Sequence, residues 1–171
     1  RTGQFDSSLR EEVAGLWGGP HRQSAPEAWV ARPADTVETA VEQDDRGRDV
    51  ARQVRQPSVQ WVPAPLLHTA ADVTLDLEQR QKGLLWYDTY TVAFRGTYVF
   101  TNPDDVERQV RVRFAFPAPH AIYDDFSFLV NGQPALRGGD LTKEMESLAR
   151  VGPGGQLTLV VAYRSRGLDD W

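Results

Sequence analysis

His120 stands four and five residues ahead of Asp124 and Asp125, the one place where an imidazole and two carboxylates fall close together in the sequence. Such a set could serve as a general acid/base pair or as one corner of a metal site. His21 and His68 have no comparable neighbours. Metal signatures bring more ligands at tighter spacing, and the chain contains neither H-E-x-x-H nor His-x-His. Read without chemistry, Pro117-Ala118-Pro119-His120 is a turn, and the aspartates after it cap loop backbone. Nucleophile motifs are absent: there is no G-x-S-x-G and no Ser-x-x-Lys. The glycine-rich Gly152-Pro153-Gly154-Gly155 precedes a strand pattern and contains proline, which does not suit phosphate binding. Carboxylates are plentiful, yet no spacing selects a glycosidase-like pair. No catalytic residue, metal ligand or cofactor is assigned, and a hydrolase built on His120, Asp124 and Asp125 is the least favoured reading.

Two features point to binding. Arg95, Arg111, Arg113 and Arg164 fall on the polar side of alternating segments, interleaved with threonine. If their strands adjoin, the four form a basic stripe suited to an anionic glycan or a lipid headgroup. Outward arginines on a solvated sheet face are the commoner case. The second feature is Leu84-Leu85-Trp86-Tyr87, directly after Arg80-Gln81-Lys82-Gly83. Alternation buries only two of those four side chains. The remainder form a contact surface, with Trp86 and Tyr87 stacking on sugars or sitting at headgroups, or else pack beneath another part of the chain.

Composition narrows the classes further. The chain has 171 residues, a formal charge of −5, 40% hydrophobic residues, 10% aromatics and no cysteine. That length suits one domain, and the aromatic content argues for a core. Without cysteine there is no disulfide, thiol catalysis, Cys-type zinc site or iron–sulfur cluster. The acidic balance lacks the footprint of a nucleic-acid binder. Apolar runs are too short to span a membrane within this stretch. The chain opens on Arg1 and closes on Asp169-Asp170-Trp171, and it reads as a piece of a longer protein.

Residues 1–21 hold a short helix and turn. Leu9, Val13, Leu16 and Trp17 make one helical stripe over about 8–17. Ser8 and Glu11 have capping-box spacing, and Gly18-Gly19-Pro20 stops the helix. Residues 22–57 mix acids and arginines with few large apolar side chains and read as a charged connector or loop. From 58 to 171 the period is two: Val73/Leu75/Leu77, Tyr90/Val92/Phe94/Tyr98/Phe100, Val110/Val112/Phe114/Phe116, Phe126/Phe128/Val130 and Leu157/Leu159/Val161/Tyr163. Asn102-Pro103-Asp104-Asp105 and Asn131-Gly132 suit hairpin turns. Strands joined by short turns, with no helices between them, predict a mainly β fold: an antiparallel β-sandwich with one short N-terminal helix.

Several segments resemble a known family. Leu16-Trp17-Gly18-Gly19-Pro20 with Gln23, Ala25 and Pro26 resembles the segment after the first transmembrane helix of CreD-type inner-membrane proteins. Leu75-Asp76-Leu77 with Arg80-Gln81-Lys82-Gly83-Leu84, Tyr87 and Tyr90 is similar to that family's R-x-R/K-G stretch. The closing segment Tyr163 to Trp171 is similar to a strand of related membrane proteins. Phe100-Thr101-Asn102, Phe114-Ala115-Phe116-Pro117-Ala118-Pro119 and Phe126 resemble VIT-type β-domains. The resemblance implies a periplasmic domain between transmembrane helices of a bacterial inner-membrane protein, and it implies no reaction.

The leading expectation is therefore a non-catalytic extracytoplasmic β-sandwich with a role in envelope integrity, sensing or assembly. Its partners would be other envelope proteins, and an apolar run of about 20 residues would precede Arg1. A carbohydrate- or lipid-binding module using Trp86, Tyr87 and the arginines is the alternative. No nucleic-acid partner is expected.

Overall fold

Branched and aromatic side chains at alternate positions favour extended backbone, because they pack well on a pleated surface. The computed structural model describes residues 22–43, 47–82, 84–118, 121–135 and 144–168, with nine strands there. They are β1 (Glu27–Gln43), β2 (Asp49–Pro63), β3 (Leu66–Lys82), β4 (Leu85–Thr101), β5 (Arg108–Ala115), β6 (Tyr123–Val130), β7 (Gln133–Pro134), β8 (Glu144–Val151) and β9 (Gln156–Leu168). The first sheet runs β2-β1-β5-β8 and the second β3-β4-β9-β6-β7. All pairings are antiparallel, and buried residues of both sheets share one core, consistent with a β-sandwich. The helix expected over 8–17, His21 and His120 lie outside the described residues.

Residues 22–57, expected to form a charged connector, instead contain β1 and most of β2. The two pair as a hairpin from Trp29 opposite Pro63 to Gln43 opposite Asp49. Backbone hydrogen bonds make this ladder with little help from apolar side chains, which is why periodicity does not reveal it.

The turns divide in two kinds. Asn131 and Gly132 take left-handed backbone (φ 51° and 77°) between β6 and β7, as a two-residue hairpin requires. Asn102–Asp105, expected as a hairpin turn, instead carries the chain from β4 in the second sheet to β5 in the first. Gly152–Gly155 crosses back from β8 to β9. Asn102 joins these crossings, because its backbone N–H donates to the Gly155 carbonyl at 3.0 Å.

Asp104 in the first crossing accepts hydrogen bonds from Arg32 (Nε, 3.1 Å; Nη2, 2.5 Å) and from Arg108 (Nε, 2.8 Å). The hydrogen bonds from both arginines hold its carboxyl below the usual aspartate range. A carboxyl with a lowered folded pKa stabilises the fold above its unfolded pKa of about 4, and that stabilisation is lost as pH falls through the folded value. Asp104→Asn is thus expected to melt below the parent at neutral pH. The gap in melting temperature should close as the pH drops below about 4, and a gap independent of pH would contradict this role.

In the core, Val110, Val112 and Phe114 of β5 share one cluster with Phe100 of β4 and Leu157, Leu159 and Val161 of β9. Each such side chain stabilises the fold by about 1.5–3 kcal/mol when fully buried. An aromatic chain continues this core. Phe94 stacks on Tyr163 at 5.0 Å, Tyr163 meets Tyr123 edge-on at 5.3 Å, and Tyr123 lies 4.7 Å from Phe116. Burial raises the pKa of both Tyr163 and Tyr123, so their hydroxyls stay protonated and donate to Gln23 Oε1 (3.0 Å) and the Ala118 carbonyl (2.7 Å). Val73, Leu75 and Leu77 stand directly opposite Phe94, Val92 and Tyr90, hence on the same face. They are nonetheless exposed, because β3 is an edge strand with a neighbour on one side only.

Candidate functional site

The four arginines do not form one stripe. Arg95 on β4 and Arg164 on β9 belong to the second sheet, and Arg111 and Arg113 on β5 belong to the first. Alternation assigns each to an outer face. It carries no information about which sheet a strand joins, and the two outer faces of a sandwich point in opposite directions.

On the first sheet Arg111 sits opposite Trp29, and Trp61 sits opposite Ala31 one step along the ladder. The Arg111 guanidinium carbon lies 4.5 Å from the Trp61 ring centre and 5.1 Å from that of Trp29. Arg111 Nε is buried without a hydrogen-bond partner, so attraction to the two indole faces takes the place of one. Arg113 lies 5.1 Å from Trp29 and donates to Glu27 at 2.5 Å, with Glu144 at 3.7 Å. The Glu27 hydrogen bond, the largest influence, raises the Arg113 pKa. Both arginines are therefore engaged within the protein. A groove of about 620 Å³ opens beside them, with Trp61, Arg111, Glu146 and Leu148 on one side and Asn131 and Pro134 on the other.

On the second sheet, Asp124 pairs in register with Arg164, and Asp125 makes an ion pair with the same arginine at 3.8 Å. Asp125 takes left-handed backbone (φ 52°) at an irregularity in the β6–β9 pairing. Thr91, Ser165 and Arg166 complete a recess of about 230 Å³ around these groups. Of the two carboxylates of the acid/base candidate, Asp125 is paired with an arginine and Asp124 is that arginine's register partner, and the expected partner His120 is outside the described residues. Among the described residues no three His, Asp or Glu side chains gather where a metal could bind.

Trp86 sits near the end of the β3–β4 hairpin, opposite Gln81, and Tyr87 is opposite Arg80. β9 pairs with β4 only as far as Thr89, so Leu85–Asp88 extend beyond it with β3 as their sole neighbour among the described strands. Arg80 forms an ion pair with Glu78.

Sequence reasoning missed Trp29 and Trp61, because both fall in or beside the stretch read as a connector. The signal available was Val59-Gln60-Trp61-Val62, whose composition suits a strand.

The fold defines a mainly β, two-sheet protein that exposes several large apolar side chains. Comparison with protein-family models, with curated proteins and with solved structures gives no match. The CreD-type and VIT-type resemblances therefore rest on their sequence motifs alone.

Proposed function

We propose that this chain is a non-catalytic extracytoplasmic domain of a bacterial inner-membrane protein, and that it touches an anionic membrane surface through the end of the β3–β4 hairpin. One observation carries this reading. Leu84 is 95% exposed and Trp86 64% exposed where the hairpin extends beyond β9, and Leu77, four residues before the partner of Trp86 on β3, is 76% exposed. Large apolar side chains held in water at a hairpin end gain free energy by entering the headgroup–acyl boundary, where tryptophan is favoured. Lys82, two residues before Leu84 in the sequence, adds a basic residue that suits anionic headgroups, while Arg80 is paired with Glu78. The split of the arginines between two faces weakens the arginine stripe as a site for a glycan and for a lipid headgroup alike, so the membrane contact rests on the hairpin end.

The test is co-sedimentation with vesicles of phosphatidylglycerol and phosphatidylcholine, compared with phosphatidylcholine alone. Binding to the anionic vesicles is expected, and Leu84→Ser with Trp86→Ser should weaken it by about tenfold or more, given the transfer free energy of two large side chains. Failure of the parent chain to bind either vesicle, or equal binding by the variant, would remove the membrane contact.

A further inference from the structure

Arg111 of β5 and Glu146 of β8 line the same groove of about 620 Å³, and neither forms an ion pair among the described residues. Arg111 also makes no hydrogen bond there, and the Trp29 and Trp61 rings alone hold its guanidinium. Glu146 stands opposite Arg113, but Arg113 is engaged by Glu27 at 2.5 Å and by Glu144 at 3.7 Å. The groove thus presents one base and one acid, each without a close counter-charge, and a site of that kind selects a ligand that carries both signs. Their spacing limits the ligand further. Leu148 is directly opposite Arg111, so Glu146 is the diagonal neighbour of Arg111, about 7–8 Å away along the backbone. The guanidinium leans toward Trp61 of β2, away from β8, which lengthens the gap between the charges. Between and beside them Trp61, Leu148 and Pro134 supply apolar wall.

We infer that this groove binds a short apolar peptide with free ends, its ammonium on Glu146 and its carboxylate on Arg111. An extended chain spans about 3.3–3.6 Å per residue, so roughly three residues set the two termini at the required separation. A free amino acid is too short to reach both charges. A ligand with an anionic group alone meets repulsion from Glu146, and one with a cationic group alone meets it from Arg111. The peptide side chains lie against Trp61, Leu148 and Pro134, where burial favours large apolar types. Asn131 accepts the Thr158 N–H through Oδ1 at 2.9 Å, which leaves its amide nitrogen as a donor for a peptide carbonyl. The site is separate from the β3–β4 hairpin end and does not depend on a membrane.

Titration of the chain with trileucine, followed through the tryptophan indole N–H signals in two-dimensional NMR spectra, tests the inference. Saturable shifts at Trp61 are expected. N-acetyl-trileucine and trileucine amide should each bind about tenfold or more weakly, since each loses one charge-assisted contact. Glu146→Gln should weaken free trileucine by a similar factor yet leave the affinity for the N-acetylated form unchanged. Arg111→Gln should do the same with the amidated form as its insensitive partner, and the matched peptide separates lost contact from lost fold. No shift with trileucine at millimolar concentration, a blocked form that binds the parent as tightly as the free peptide, or a Glu146→Gln chain that loses all three peptides alike overturns the inference.

Discussion

Asn102→Asp is expected to destabilise the fold by about 3 kcal/mol or more at neutral pH, the largest loss from a change of so few atoms. The Asn102 amide is buried, and its nitrogen donates to three carbonyls: Val106 at 2.8 Å, Val151 at 3.0 Å and Gly152 at 3.0 Å. Its oxygen accepts from the Asp104 backbone N–H at 3.1 Å. One side chain thus fixes two of the crossings between the sheets, β4 to β5 and β8 to β9. An ionised aspartate would set a carboxylate oxygen against three carbonyl oxygens. A protonated one could satisfy a single carbonyl and leave the others without a donor. The variant's carboxyl pKa should therefore rise in the folded state. A raised acid pKa costs stability as pH climbs from the unfolded value of about 4 toward the folded one. The deficit of the variant against the parent should accordingly grow between about pH 4 and 7, reaching roughly 10 °C in melting temperature. Asn102→Ala supplies the control. It should lose about 2–4 kcal/mol with no added pH dependence, because it leaves the carbonyls unpaired without bringing a charge. Equal deficits for both variants at all pH values would show that repulsion at this position is absent.

The strands richest in alternating aliphatic and aromatic residues were the legible ones. Tyr90 to Phe100, Val110 to Phe114 and Leu157 to Tyr163 keep their large apolar side chains mostly on one parity, with Val99 and Val160 as exceptions, and each buries the predicted parity. β1 and β2 were hidden because Ala31–Gln43 and Asp49–Gln60 are mostly exposed, so burial left little mark on their composition. β8 was hidden for a related reason: Met145, Ser147, Ala149 and Val151 alternate, yet two of the four are too small or polar to register as apolar. The arginine stripe failed at a different level. Parity fixes in or out along one strand, whereas adjacency depends on which sheet a strand enters. That choice is made here at Asn102 and Gly152–Gly155, where the chain crosses between sheets. The exposure of Leu77 follows from edge position, which is likewise a property of the sheet and not of the segment. The exposure of Trp86 was legible, because a four-residue apolar run exceeds what one buried face can absorb.

Gly167→Val is the second substitution with a large expected effect, a loss of about 2–3 kcal/mol. Gly167 lies directly opposite Tyr90 across the β4–β9 ladder, and the Tyr90 ring lies over it. A Cβ added at Gly167 would come within 2.1 Å of the Tyr90 Cζ. Tyr90 is buried, so the ring has no empty volume to swing into, and displacing it disturbs its packing against the core. The same device recurs at Gly96, where a Cβ would meet the Tyr98 ring at 2.6 Å. In both places a glycine, unfavourable in a strand on its own, is compensated by an aromatic ring that covers its backbone. The clash has one specific partner, the Tyr90 ring. In a Tyr90→Leu background the clash is removed, so adding a side chain at Gly167 should cost much less there than in the parent. Chemical denaturation of the four proteins in that cycle should give a coupling of about 1–2 kcal/mol between the two positions. Additive losses would mean that Gly167 is required by its own backbone and not by the ring. Its backbone is ordinary strand, since the left-handed glycines of the described chain are Gly47, Gly132 and Gly154. The requirement therefore lies in the space that Tyr90 occupies, and the cycle measures it directly.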